Sequence, residues 1–200
     1  MNSITRIHAV LKEAELRNPP VIITVNDFTE EAVRSFMCQM SDAHNTGQHV
    51  IPIVIDSYGG LVHGLMAMIS AIRSTNLSIA TIIQGKAMSC GAVLASCGTP
   101  GYRFIDPLST MMIHQVSSGV FGKIEEIKNK AAETDRLNKV LFSIMDKNAG
   151  KPPGYFWDLI HVNDHADIFL TAEDVIKHGL ADHVRVPTLV TSIDVKFELK

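Results

Sequence analysis

Apolar residues along this chain follow two rhythms that alternate. Short unbroken runs at residues 21–25, 50–55 and 79–83, rich in valine and isoleucine, predict buried strands. Between them the apolar positions fall three and four apart. Ala32, Val33, Phe36, Met37 and Met40 share one helical face behind a Thr29-Glu30-Glu31 start, and Leu65, Met68, Ile69 and Ile72 share another. A small-residue apolar run at 92–97 follows the third strand as a further helix. Three strand–turn–helix units in succession predict an α/β fold with parallel strands, whose sites lie beyond the carboxyl ends of the strands. Ahead of them, residues 4–17 carry a weak helical pattern (Ile4, Ile7, Val10, Leu11) that stops at Pro19-Pro20, the mark of a peripheral arm.

The second half opens with an apolar strand from Thr110 that ends at His114, then a glycine-punctuated extended stretch at 117–122. The longest helical pattern covers 123–148, with Ile124, Ile127, Ala131, Thr134, Leu137, Leu141 and Ile144 along one seam. Such a helix spans about 40 Å, more than a small domain needs for its own core. Its seam, including Ile127 and Leu141, either meets another chain or lies across its own domain, and spacing does not choose between these. Pro152-Pro153 breaks the pattern, and residues 157–166 read as irregular and polar. Thr171-Ala172-Glu173-Asp174 resembles a capping box whose helix ends at Gly179, and 188–200 alternates as a β segment.

Composition narrows the function classes. The chain has 200 residues, 46% hydrophobic and 20% charged, enough for one cored domain, alone or with an appendage. A net charge of −3 supplies no basic field for a nucleic-acid backbone. No apolar run approaches the ~18 residues of a membrane span, and the N-terminus lacks the apolar core of a signal peptide. Cys38, Cys90 and Cys97 are an odd number without metal-ligand spacing, which predicts free thiols in a reducing cytosol and no metal site.

The candidate chemistry sits at strand ends. In Gly85-Lys86-Ala87-Met88-Ser89-Cys90-Gly91 a serine stands where a strand turns into a helix. A nucleophilic serine needs this setting, because backbone N–H groups there have no intrahelical partner. An N-cap needs the same setting, and with Ala87 in place of the first glycine of the usual nucleophile elbow, this stretch alone favours the cap. Gly59-Gly60 closes the second strand, as a plain tight turn or as bare backbone brought close to a ligand. His114, taken alone, reads as structural. Lys86 reads as a solvated lysine on a turn.

Taken together, these residues resemble the Clp protease proteolytic subunit family, self-compartmentalising serine peptidases. Asp56-Ser57-Tyr58-Gly59-Gly60 is similar to the family's Asn-Ser-Pro-Gly-Gly loop. Residues 85–92 fit its Gly-x-Ala-x-Ser-x-Gly-Ala motif, which removes the objection about Ala87. Met112-Ile113-His114-Gln115 matches the segment around the family's histidine. Asp167-Ile168-Phe169-Leu170-Thr171-Ala172 resembles its Asp-x-Phe-Leu-Ser-Ala. The likeness runs from about residue 21 to 184, and four motifs in the right order make it specific.

The resemblance implies a ClpP/crotonase-like α/β fold of repeated β-β-α and βα units, with a protruding handle helix. It divides the chain into an arm (1–20), a peptidase domain (21–187) holding the handle (117–148), and a tail (188–200). It implies Ser89 as nucleophile, His114 as base and Asp167 as the orienting acid, with Asp164, three residues earlier, as the alternative acid. Gly60 and Cys90 would supply oxyanion-hole N–H groups, while Gly59, Gln115, Ser117 and Gly119 would run beside bound peptide. No cofactor is implied. The implied partners are further copies in stacked rings, a polypeptide substrate and an AAA+ unfoldase, in the cytoplasm, with no role for membrane or nucleic acid. Other readings on related folds are a phage-type capsid maturation protease, an acyl-CoA hydratase or isomerase, and a catalytically idle ring subunit. Tyr58 departs from the family's proline, and the stretch before residue 21 does not resemble its axial loops.

Overall fold

The computed structural model describes residues 19–117, 119, 121–163 and 166–190. The predicted arm and tail lie almost wholly outside them, as does Asp164. The elements in order are β1 (Ile23–Val25), α1 (Glu30–Asn45), β2 (Val50–Ser57), α2 (Val62–Ser74), β3 (Ser78–Met88), α3 (Cys90–Ser96), β4 (Arg103–Ile105) and β5 (Thr110–Ile113). Then follow α4 (Ile124–Asn148), α5 (Tyr155–Val162), β6 (Ile168–Leu170), α6 (Ala172–Lys177) and β7 (His183–Val184). The parallel α/β arrangement expected from the repeated units is present. Strands β1-β2-β3-β4-β7 lie side by side, all parallel, and β5 joins β3 in parallel and β6 antiparallel.

The third strand is longer than its apolar run. It continues through Gly85 to Met88, where a turn was expected, and changes partner on the way. Thr81, Ile82 and Ile83 pair with β4, whereas Lys86, Ala87 and Met88 pair with β5. Gly85, at φ 97°, makes the bend between the two halves, opposite a register shift on β2 between Ile55 and Ser57. The second half of β3 thus carries its last residue, Met88, past the edge of the main sheet, directly before Ser89.

One core holds the molecule together. Ile23, Ile51, Ile53, Ile55 and Ile83 from the sheet pack with Phe36 and Leu65 of α1 and α2, all essentially without solvent contact. Every residue of α3 is buried, so its small side chains let it lie close against the sheet. Across the main sheet only a small cluster forms, from Ala80, Ile82 and Phe104.

Helix α4 divides in two. Its C-terminal half buries Leu137, Leu141, Phe142 and Met145 in the subunit's own core, while its first nine residues, 124–132, are exposed. Of the two readings that the apolar stripe left open, Leu141, at 6% exposure, takes the one within its own domain. Ile124 remains open at 70%.

Helix α5 forms where an irregular polar stretch was expected. Phe156 and Ile160, four apart, are fully buried. Its N-terminus is capped from outside: buried Asp146 on α4 accepts the N–H groups of Gly154 at 2.7 Å and Phe156 at 3.0 Å. A start signal supplied by another helix leaves no local trace in the sequence. The capping box at Thr171 is present as read, with Thr171 Oγ1 accepting from the Asp174 N–H.

Candidate active site

Ser89 sits between β3 and α3 with φ 53° and ψ −119°, the one non-glycine residue with positive φ among those described. That backbone region costs an ordinary side chain roughly 1–3 kcal/mol, so the surroundings must impose it. Met112 on β5 accepts the Ser89 N–H at 2.9 Å, while the Ser89 carbonyl accepts from Ala92 at 3.0 Å and Val93 at 3.3 Å. The hydroxyl makes no capping hydrogen bond. The plain N-cap reading therefore fails on both counts, since a cap has extended backbone and uses its side chain.

His114 and Asp167 meet through a ladder that the sequence motifs do not reveal. Strands β5 and β6 pair Met111 with Leu170, Met112 with Phe169 and Ile113 with Ile168. One step further the same register sets His114 opposite Asp167, with His114 Nδ1 3.4 Å from Asp167 Oδ1. The imidazole is mostly covered, whereas the carboxylate is 54% exposed.

Ser89, His114, Gly60, Cys90 and Ser117 open onto one cleft of about 230 Å³. Its deeper wall is apolar, formed by Val62, Val93, Met112, Leu141, Phe142 and Met145. Gly59 reaches the elbow as only glycine can, and Gly60 packs closely on Phe28. A Cβ on Gly59 would stand 2.7 Å from Ser89 Cβ, and one on Gly60 would stand 3.0 Å from Phe28 Cβ. The Cys90 thiol donates to the Gly60 carbonyl at 3.3 Å, and burial pushes its pKa up, which keeps it a donor. The remaining expected residues lie further out. Gln115 is half-buried next to His114 without lining the cleft, and Gly119 is exposed with open space around it.

Two features escaped the motif reading. Asn138 of α4 lines the cleft, and its Oδ1 accepts the Val116 N–H at 2.6 Å, fastening the segment after His114 to the long helix. A polar residue between Leu137 and Leu141 on a buried seam was the signal. Lys86 is not simply solvated but ion-paired to Asp56 at 2.6 Å.

Fold and cleft together define an α/β protein whose strained serine elbow shares a cleft with an imidazole that is itself paired to a carboxylate. The chain belongs to the Clp protease family: the family's model matches residues 8–188, beginning thirteen residues before the likeness seen in the motifs. It is 38% identical over 137 residues to the ATP-dependent Clp protease proteolytic subunit 1 of Chlamydia felis, covering 68% of this chain and 66% of that one. It is 38% identical over 134 residues to subunit 2 of Chlamydia abortus, covering 67% and 63%. With subunit 3 of Nocardia farcinica it shares 34% over 136 residues, covering 67% and 60%. The matched region thus spans just under two thirds of those relatives' length. Among the described residues no helix is long and apolar enough to cross a membrane.

Proposed function

We propose that this chain is a serine peptidase subunit that cleaves unfolded polypeptides, with Ser89, His114 and Asp167 as its catalytic residues. The observation that carries the reading is the convergence of the strained Ser89 with the His114–Asp167 pair at one cleft. Because Nδ1 of His114 faces Asp167, Nε2 is the nitrogen left to take the Ser89 proton. Ser89 Oγ attacks the scissile carbonyl, and the N–H groups of Gly60 and Cys90 receive the oxyanion. His114 then hands the proton to the leaving amine, and water repeats the sequence to free Ser89. Asp167 holds the imidazole in the required tautomer and stabilises its charged form. An extended peptide would lie between the Gly59-Gly60 backbone and that of Gln115, Ser117 and Gly119, adding main-chain hydrogen bonds.

The subunit would act in the cytoplasm in a ring-shaped homo-oligomer fed by an AAA+ ATPase; that its relatives are proteolytic subunits of ATP-dependent proteases supports assembly with further subunits and a need for ATP. An acyl-CoA enzyme or an idle scaffold would leave the Ser89–His114–Asp167 arrangement without a use.

A fluorophosphonate probe tests the core of this reading. Labelling that maps to Ser89 and vanishes in Ser89→Ala, together with peptide hydrolysis lost in the same variant, is expected. A wild-type protein that takes no label, or takes it elsewhere, overturns it.

A further inference from the structure

Lys86 is the centre of a small cluster at the lip of the cleft. Gly85 has φ +97°, and a Cβ there would stand 2.9 Å from Asp56 Oδ1, so bare backbone lets this carboxylate cross from β2 to β3. Asp56 accepts a hydrogen bond from Lys86 Nζ at 2.6 Å, and the same ammonium lies 4.4 Å from the centroid of the Tyr58 ring. Tyr58 is 75% exposed, yet it lines the cleft beside Ser89 and stands one residue before Gly59, which touches the elbow. A ring so exposed gains little for the fold by being held there. A ring already held loses little freedom when a ligand packs on it.

We propose that Tyr58 is a specificity-determining residue: a preset ledge that receives an aromatic side chain of the peptide substrate, at a position other than the one seated in the apolar pocket. The inference rests on the peptidase reading above. The chemistry of the ledge selects the side chain. One ring surface is already engaged by an ammonium, so a basic residue gains little from the ring. An acidic residue would meet the ring's negative face near the Asp56 carboxylate. An aromatic residue can stack on or against the edge of the ring, a contact that discriminates by about 3- to 10-fold. Lys86 acts through Tyr58 as a positioning residue.

The test uses the full chain and fluorogenic peptides that differ only by phenylalanine or glycine at one position flanking the scissile bond. In wild type the Phe-to-Gly ratio of kcat/KM should be about 3 to 10 at one position outside the apolar pocket. Tyr58→Ala should bring that ratio to about 1 and Tyr58→Phe should keep it. Lys86→Met should lower it part of the way, with Lys86→Arg restoring it, since a planar guanidinium serves both Asp56 and the ring. A ratio that survives Tyr58→Ala, or one that falls equally at every position, overturns the ledge. A wild-type enzyme that hydrolyses peptides without any such preference overturns the ledge alone. A wild-type protein that neither hydrolyses peptides nor takes the fluorophosphonate removes the peptidase reading and the ledge with it.

Discussion

Ser89 donates its backbone N–H to the carbonyl oxygen of Met112, 2.9 Å away. Met112 stands two residues before His114, and the same residue pairs across β6 with Phe169, two residues after Asp167. One strand, β5, therefore touches the elbow on one edge and carries the imidazole toward the carboxylate on the other. Each of the three residues stands one position beyond a paired strand end, so main-chain registers bring their backbones to the same side of the sheet. Rigid placement of this kind is what a reaction between a hydroxyl and a bound carbonyl requires.

Gly59→Ala tests how tightly the elbow is enclosed. The new methyl would start 2.7 Å from Ser89 Cβ on a backbone at φ +107°, so the serine, the Gly59-Gly60 turn or both must shift. A displacement approaching 1 Å at a nucleophile costs on the order of 10²-fold in rate. The substitution should also cost roughly 1–2 kcal/mol of stability from the strained backbone. Fluorophosphonate labelling rates and urea midpoints of the two proteins measure both effects. Labelling at the wild-type rate would show that the turn and elbow yield without disturbing the hydroxyl.

Asp167→Asn removes the acceptor charge while preserving size. With the imidazole no longer held in the useful tautomer, peptide turnover should fall by about 10³–10⁴-fold. His114→Ala should fall by at least as much, and the double variant little further, because the residues act as a unit. Steady-state kinetics on all three variants decides the matter. Turnover within a few-fold of wild type in Asp167→Asn would take the acid's role away from this carboxylate and turn attention to Asp164.

The sequence disclosed the parts of this site whose signal is local. Val-Ile runs marked β1, β2 and the first half of β3, and the strand–turn–helix order marked Ser89 and Gly59-Gly60 as strand-end residues. It was silent where one element completes another. Asp146 caps α5 from α4, so residues 155–162 carry no start signal of their own. Strand β6 is three residues long and owes its pairing to β5, so the alignment of His114 with Asp167 appears only once the two strands are paired. The long seam of α4 left its surroundings open for a different reason. One apolar stripe serves the subunit's own core along Leu137, Leu141 and Met145, while Ile124 stands clear, and periodicity is blind to that change of surroundings.

Arg103 and Asp182 link β4 to the segment entering β7, and their contribution should depend on pH. Burial alone would push the Asp182 carboxyl up, but the Arg103 guanidinium at 2.6 Å and the N–H groups of Arg103 and Gly101 outweigh it and hold the pKa below the ordinary carboxylate value. A carboxylate with a depressed folded-state pKa stabilises the fold above its unfolded value and loses that contribution as pH falls through the folded one. Asp182→Asn also leaves the buried Arg103 guanidinium without its counter-charge. It should therefore destabilise the protein by roughly 2–3 kcal/mol near neutrality, with the gap to wild type shrinking as pH falls below about 4. Urea titrations of both proteins across that interval measure the gap, and a difference independent of pH would contradict the linkage.

The two halves of α4 make opposite predictions for apolar positions on one helix. Leu141 is enclosed by its own subunit, so Leu141→Ala should cost about 2–4 kcal/mol through the cavity it leaves, whatever the oligomeric state. Ile127, 40% exposed, lies in the half that stands away from the body, so Ile127→Glu should leave the stability of the isolated subunit within about 0.5 kcal/mol. If that exposed half is where two stacked rings meet, as the family resemblance implies, a buried charge there should break the contact and halve the native mass in light scattering. Measuring mass and unfolding midpoint on both variants separates the cases. A halved mass with an unchanged subunit midpoint in Ile127→Glu supports the ring contact. An unchanged mass would leave the projecting half of α4 with no part in holding rings together.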